Sequence, residues 1–130
     1  MRKLLIKETL NSPRVILDPS KKRYEISGKS FPENSKTFYQ PVFDWITEAA
    51  TTLTDEKIHL SLTFEYISSS SVITLKQLLS KIKALSEKGL SLQILWYYDS
   101  NDQDIKEIGE EYQKLVDIDM QFVEKEGSPS

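Results

Sequence analysis

Residues 57–98, KIHLSLTFEYISSSSVITLKQLLSKIKALSEKGLSLQILWYY, decide the fold. Ile58, Leu60, Leu62 and Phe64 alternate with their neighbours, the period-two pattern of a strand buried on at least one face. After Ser68-Ser69-Ser70-Ser71 the period changes. Val72, Leu75, Leu78, Leu79, Ile82 and Leu85 mark one face of a helix that stops at Gly89. Leu90 to Tyr98 then reads as a second strand, apolar enough to be central in a sheet. Strand, helix and strand in direct succession require parallel neighbours joined by a right-handed crossover.

The same alternation continues downstream. Asp99 to Asp104 is an acidic turn, Ile105, Ile108, Tyr112, Leu115 and Val116 mark a third helix, and Met120 to Val123 a final strand. The polar tail that follows is expected to be disordered, so a single domain spans residues 1–124 and the tail residues 125–130. Upstream, Lys3 to Glu8 and Arg14 to Leu17 are short strands around the breaker Asn11-Ser12-Pro13. Arg23 to Ser27 is a strand predicted to end at Gly28. Phe38, Val42, Trp45, Ile46, Ala49 and Leu53 share a helical face. Proline is tolerated only near a helix start, so this helix is expected to begin at Pro41, with Ser35 to Tyr39 as a separate turn. The chain thus reads as an α/β protein, a mixed sheet with about three packed helices.

Composition narrows the function. The chain has 130 residues, of which 38% are hydrophobic and 28% charged, ordinary values for a soluble globular domain. A net charge of −3 gives no electrostatic footprint for nucleic acid. The absence of cysteine excludes disulfides, thiolate catalysis and zinc–thiolate sites. No apolar run approaches the roughly 20 residues of a membrane span. Leu4-Leu5-Ile6 is too short for a signal peptide, so a cytoplasmic protein is expected.

The serine run is the sharpest candidate site. A hydroxyl at a helix start caps an orphan backbone N–H; a phosphate there would meet the same free donors and the positive end of the helix dipole. Val72 to Leu75 contain no acid, whereas Glu65 lies just before the run. The dipole contributes only about 0.3–1 kcal/mol, so phosphate would not refold the domain. It would block an acidic partner by like-charge repulsion.

Other candidates are weaker. Asp99, Asn101, Gln103 and Glu110 have the spacing of a calcium loop, but Asp104 stands where glycine is needed; Ser100 with Gln103 reads better as a capping box. His59 is a polar sheet position without a catalytic companion. Lys21-Lys22-Arg23 is a solvated turn or a contact for an acidic partner. Trp96-Tyr97-Tyr98 suits core or interface, and Gly109 within a helix signals a close approach. No metal site, cofactor fingerprint or nucleophile elbow is present in the sequence.

Three blocks carry a family resemblance. Gly28-Lys29-Ser30-Phe31-Pro32-Glu33-Asn34, with Phe38-Tyr39, Pro41 and Trp45, resembles the first signature of the SiaC family of bacterial regulatory phosphoproteins. Phe64-Glu65-Tyr66-Ile67 with the serines resembles its second. Trp96-Tyr97-Tyr98, Asp102, Glu107 and Gly109-Glu110 resemble its third. The resemblance implies a fold like STAS domains, the class of anti-sigma-factor antagonists. It also implies phosphorylation at the strand–helix junction by a dedicated kinase, reversed by a PPM-type phosphatase. The unmodified form would bind an effector, a GGDEF diguanylate cyclase controlling biofilm formation in the best-understood case.

The family's phosphorylated threonine falls on Ser69, with Ser68, Ser70 and Ser71 as alternative acceptors, and Phe31 standing for a family tyrosine is read as a packing change. Glu65, Tyr66, Ser68, Ser70, Ser71, Val72, Lys76, Trp96, Tyr98 and Asp102 are the expected partner-binding residues. The leading expectation is a non-enzymatic, partner-switching module needing no cofactor or metal. The alternatives are a constitutive scaffold whose serines only cap a helix, and a small anion-binding hydrolase.

Overall fold

The computed structural model describes residues 1–126. Its elements are β1 (Leu4–Ile6), β2 (Arg14–Asp18), β3 (Arg23–Ser30), α1 (Ser35–Thr52), β4 (Lys57–Ile67), α2 (Ser69–Ser86), β5 (Ser91–Asp99), α3 (Gln103–Val116) and β6 (Met120–Lys125). They build one six-stranded sheet in the order β1-β2-β3-β4-β5-β6. The first two pairings are antiparallel and the last three parallel, the mixed α/β architecture expected. Because the order never reverses, the three right-handed crossovers put all three helices on one face. Among the described residues no helix is long and apolar enough to cross a membrane.

Burial follows the alternation. Val15 and Leu17, Tyr24 and Ile26, Ile58, Leu60, Leu62 and Phe64, and Leu92, Ile94 and Trp96 point toward the helices. They meet Tyr39, Val42, Trp45 and Ile46 of α1 and Leu75, Leu78, Leu79 and Ile82 of α2. The opposite face is wetter: His59 is exposed there, and Arg23 pairs with Glu25 at 3.0 Å, so this arginine belongs to β3 and not to a free basic turn.

Four expectations are corrected. First, α1 starts at Ser35, and Pro41 lies inside it. Asn34 caps the helix, its side chain accepting the Thr37 N–H at 3.0 Å. A helix-interior proline costs about 3 kcal/mol. Buried Ser35 and Tyr39 before it, and Val42, Trp45 and Ile46 after it, hold the helix continuous against that cost. Second, β3 does not end at Gly28. The register shifts between Gly28 and Lys29, and Gly28 takes a positive φ of 123°, so the strand bulges and runs on to Ser30.

Third, the cap of α3 is Asp102 and not Ser100. The Asp99 carboxylate accepts the Asn101 N–H at 3.0 Å, closing a turn that delays the helix, and Asp102 then accepts the Ile105 N–H at 3.1 Å. The two acids are thus committed to turn and cap, and among the described residues no three His, Cys, Asp or Glu converge as metal ligands. Fourth, the last strand does not end at Val123 but takes in Glu124 and Lys125. They pair with Tyr98 and Asp99, and the Ser100 N–H reaches the Lys125 carbonyl at 3.0 Å. Of the expected tail, residues 127–130 lie outside the described residues.

Gly109 is explained by Trp96. A Cβ added to Gly109 would lie 2.6 Å from the indole Nε1 and 2.7 Å from two ring carbons. The indole is fixed by its own bond to the Ile105 carbonyl at 3.0 Å and by edge-on packing against Tyr112, centroids 5.7 Å apart. Gly109→Ala gains about 1 kcal/mol of helix propensity but overpacks a rigid ring, a cost of about 1–3 kcal/mol. We expect this variant to melt several degrees lower than the parent, measured by thermal denaturation; an unchanged or higher Tm would show that α3 moves off the indole freely.

Two buried phenols set an alkaline limit. Tyr39 donates toward Ser30 Oγ at 2.7 Å and Tyr112 to the Val72 carbonyl at 2.7 Å, and burial pushes both phenols well above 10.0. Well below pH 10 both are neutral in folded and unfolded chains alike. Above it the unfolded chain releases protons that the folded one keeps, so stability falls as pH rises. Denaturant titrations between pH 9 and 11.5 should show that decline, with Tyr39→Phe and Tyr112→Phe each flattening it.

Candidate functional site

All parallel strands end at the same pole, so the first turns of α1, α2 and α3 gather there. The serine run lies in the middle of it. Its structure differs from a loop followed by a helix at Val72: Ser68 is the N-cap, in extended conformation, and Ser69, Ser70 and Ser71 are the first turn of α2. Ser68 Oγ accepts the Ser71 N–H at 3.2 Å, and the Val72 N–H makes the first helical bond, to the Ser68 carbonyl at 2.8 Å. The N–H groups of Ser69 and Ser70 precede that ladder. No acid occurs in this first turn, and Lys83 sits in the last one, both matching the helix dipole.

A chain of hydroxyls runs beneath the turn. Ser30 Oγ donates to Ser71 Oγ at 2.8 Å, which leaves its lone pairs for the Tyr39 O–H. Ser71 lies 3.1 Å from Ser35 Oγ, Ser35 lies 3.0 Å from Ser70 Oγ, and Ser70 lies 3.3 Å from Ser68 Oγ. With one proton per hydroxyl, a consistent order is Tyr39 to Ser30 to Ser71 to Ser35 to Ser70 to Ser68. Ser30 and Ser71 have no exposed surface and Ser35 almost none, so each needs these partners to avoid an unpaired buried group. The Ser68 N–H adds a backbone bond to the Ser30 carbonyl at 2.9 Å. The end of β3 and the first turns of α1 and α2 are thereby tied together.

Ser69 stands outside this chain. It is exposed, and among the described residues its hydroxyl makes no hydrogen bond. The other three serines are engaged: Ser68 as cap, Ser70 through Ser35 and Ser68, and Ser71 by burial.

The expected partner residues separate into two groups. Glu65, Tyr98 and Asp102 line a cleft of about 400 Å³ with Thr63, Tyr97 and Lys125, and Glu65, Tyr66 and Asp102 also line a neighbouring hollow with Asp104 and Ile108. Tyr66 is 53% exposed, and Lys76 is exposed farther along α2. The Tyr98 ring carries the Lys106 ammonium 5.5 Å from its centroid. Trp96 and Ser71, in contrast, have no exposed surface, and they can shape the surface only from below. Val72 is half-buried and is engaged through its carbonyl by Tyr112.

Sequence reasoning missed Ser30, Ser35 and Tyr39 as parts of the site. Ser35 meets Ser70 and Ser71 across more than thirty residues of chain, and no local pattern marks such a pairing. It also read Phe31 as a packing change. That ring meets Tyr66 edge-on at 5.6 Å, but 40% of the residue is exposed at the surface.

Known proteins share this fold. An uncharacterised protein of Pseudomonas aeruginosa (strain UCBPP-PA14) is 26% identical over 114 residues, 88% of this chain and 90% of that protein. The crystal structure of apo-SiaC from P. aeruginosa superposes with a TM-score of 0.82 at 24% identity, covering 94% of this chain and 98% of that one. A chain of the complex between diguanylate cyclase SiaD and its activator SiaC, from the same organism, gives 0.84 at 23% identity over 94% and 99%. These structures share the fold. The family model for SiaC family regulatory phosphoproteins matches residues 6–125, from the last residue of β1 to the last of β6, and the chain belongs to that family.

Proposed function

We propose that this regulatory phosphoprotein is a partner-switching module that works by binding rather than catalysis, with Ser69 as the residue modified. The observation that carries the choice is the hydroxyl chain: it engages Ser68, Ser70 and Ser71 and leaves Ser69 exposed at the first position of α2. A kinase can reach that oxygen without opening the fold. The resulting dianion would find the free N–H groups of the first turn and no intrahelical acid. A dedicated Ser/Thr kinase and a PPM-type phosphatase are the partners this cycle needs.

The effector in this reading is a GGDEF diguanylate cyclase, and through it cyclic-di-GMP signalling and biofilm control. Support comes from family membership and from the P. aeruginosa complex, in which SiaC is the activator of the cyclase SiaD. The unmodified chain is the binding form. Glu65, Tyr66, Tyr98 and Asp102 supply exposed contacts, Ser68, Ser70 and Ser71 hold the first turn of α2, and Val72, Lys76 and the buried Trp96 belong to the framework and flank of the surface.

Two measurements test the reading. Fragment mass spectra of the protein from its own cells should place a phosphate on Ser69; modification only of Ser68, Ser70 or Ser71 would refute the choice of residue. Purified Ser69→Ala should bind a GGDEF cyclase from the same organism like the parent, and Ser69→Asp at least tenfold more weakly. Equal binding by both variants would leave a constitutive scaffold whose serines only cap a helix.

A further inference from the structure

Around Ser69 lies an apolar strip that stability does not require. Leu10 is 92% exposed, Phe31 40%, Tyr66 53% and Ile73 61%. Phe31 and Tyr66 touch edge-on, and Ile73 lies one helical turn beyond Ser69 on the same face of α2. Leu10 belongs to the same end of the molecule, because the Phe31 N–H donates to the Asn11 carbonyl at 2.9 Å.

Leu10 does not sit on a slack loop. The Thr9 N–H donates to the Ser12 carbonyl at 3.0 Å, the Thr9 hydroxyl to Asn11 Oδ1 at 2.9 Å, and the Ser12 N–H to Thr9 Oγ1 at 3.0 Å, with Ser12 and Pro13 buried. A braced loop that holds a leucine almost wholly in water gains nothing for the fold from it. Exposed apolar side chains gathered at one end of a domain mark a protein contact.

We infer that Leu10, Phe31, Tyr66 and Ile73 form the anchor of the effector interface, that the effector offers an apolar cleft to receive them, and that phosphate at Ser69 expels it by desolvation. The inference rests on the switch reading above and changes its physics. Facing an acidic partner, a phosphate would act by charge repulsion, which salt screens. In the middle of an apolar contact the same dianion must be stripped of water, whatever the charge of the partner, and salt does not relieve that cost. The strip also favours an effector over a second copy of this chain. A symmetric pairing would bring two Ser69 positions and two sets of Glu65, Asp102 and Asp104 toward each other.

A benzophenone side chain in place of Leu10 or Phe31, with His59 near the opposite end of β4 as control, reads the contact in the protein's own cells. Both strip positions should crosslink to one other protein well above the control, and Ser69→Asp should abolish it. With that protein purified, Leu10→Ser should weaken binding tenfold or more at unchanged Tm, and Phe31→Ser should weaken it as much in a chain that remains folded. Phosphorylation of Ser69 should weaken it equally in 0.1 M and 1 M salt. Crosslinking no higher than at His59, crosslinking to a second copy of the chain, parent-like binding by the serine variants, or a phosphate effect that vanishes in 1 M salt would each overturn the inference. Capture of an effector other than a cyclase would uphold the strip and refute the cyclase reading. Strip-dependent binding indifferent to Ser69→Asp would refute the switch instead.

Discussion

Three right-handed crossovers taken in one direction govern everything else in this domain. Since the strand order from β3 to β6 never turns back, α1, α2 and α3 lie side by side on one face. Every helix therefore begins at the same pole, where the parallel strands end. A reversal of strand order would open a crevice between helices on opposite faces, the usual place for a small ligand. Here the pole is instead a broad surface of helix first turns and strand ends, suited to a protein partner.

That surface is rigid because its polar groups are matched beneath it. Bringing the first turns of α1 and α2 against the end of β3 buries Ser30, Ser35 and Ser71, and an unpaired buried hydroxyl costs on the order of 1–3 kcal/mol. The ordered chain from Tyr39 to Ser68 meets that cost, each of the four hydroxyls between its ends giving one proton and receiving one. Such networks hold a unique arrangement when every member is satisfied. The consequence is a division among the serines: the hydroxyls of Ser68, Ser70 and Ser71 are engaged in the chain, and that of Ser69 lies outside it.

Sequence periodicity made the second half of the fold legible. Residues 57–98 alternate and then repeat at helical spacing without interruption, so β4, α2 and β5 came within a few residues of their observed bounds. The misreadings share a cause. Pro41 and Gly28 look like terminators locally, yet tertiary burial of Tyr39 and Trp45 carries α1 through the proline, and a bulge carries β3 through the glycine. The cap of α3 falls on Asp102, two residues beyond Ser100, because a turn closed by Asp99 delays the helix start. Of the site, the serine run and its acid-free first turn could be read directly. Ser35 and the exposure of Leu10 and Phe31 could not, because they depend on which loops the sheet brings together.

The energies explain why capping and switching coexist at one helix start. A phosphate on Ser69 gains about 0.3–1 kcal/mol from the helix dipole, too little to melt α2, whose buried Leu75, Leu78, Leu79 and Ile82 anchor it on the sheet. In the proposed reading, modification would therefore leave the domain folded in both states and act only on what docks there. Removing a cap typically costs about 1 kcal/mol, so a design that used Ser68 as acceptor would set modification against stability. The proposed acceptor, one residue later, would separate the two tasks. Ser68 keeps the helix start intact, Ser70 and Ser71 lock it to α1, and a charge on Ser69 would disturb neither.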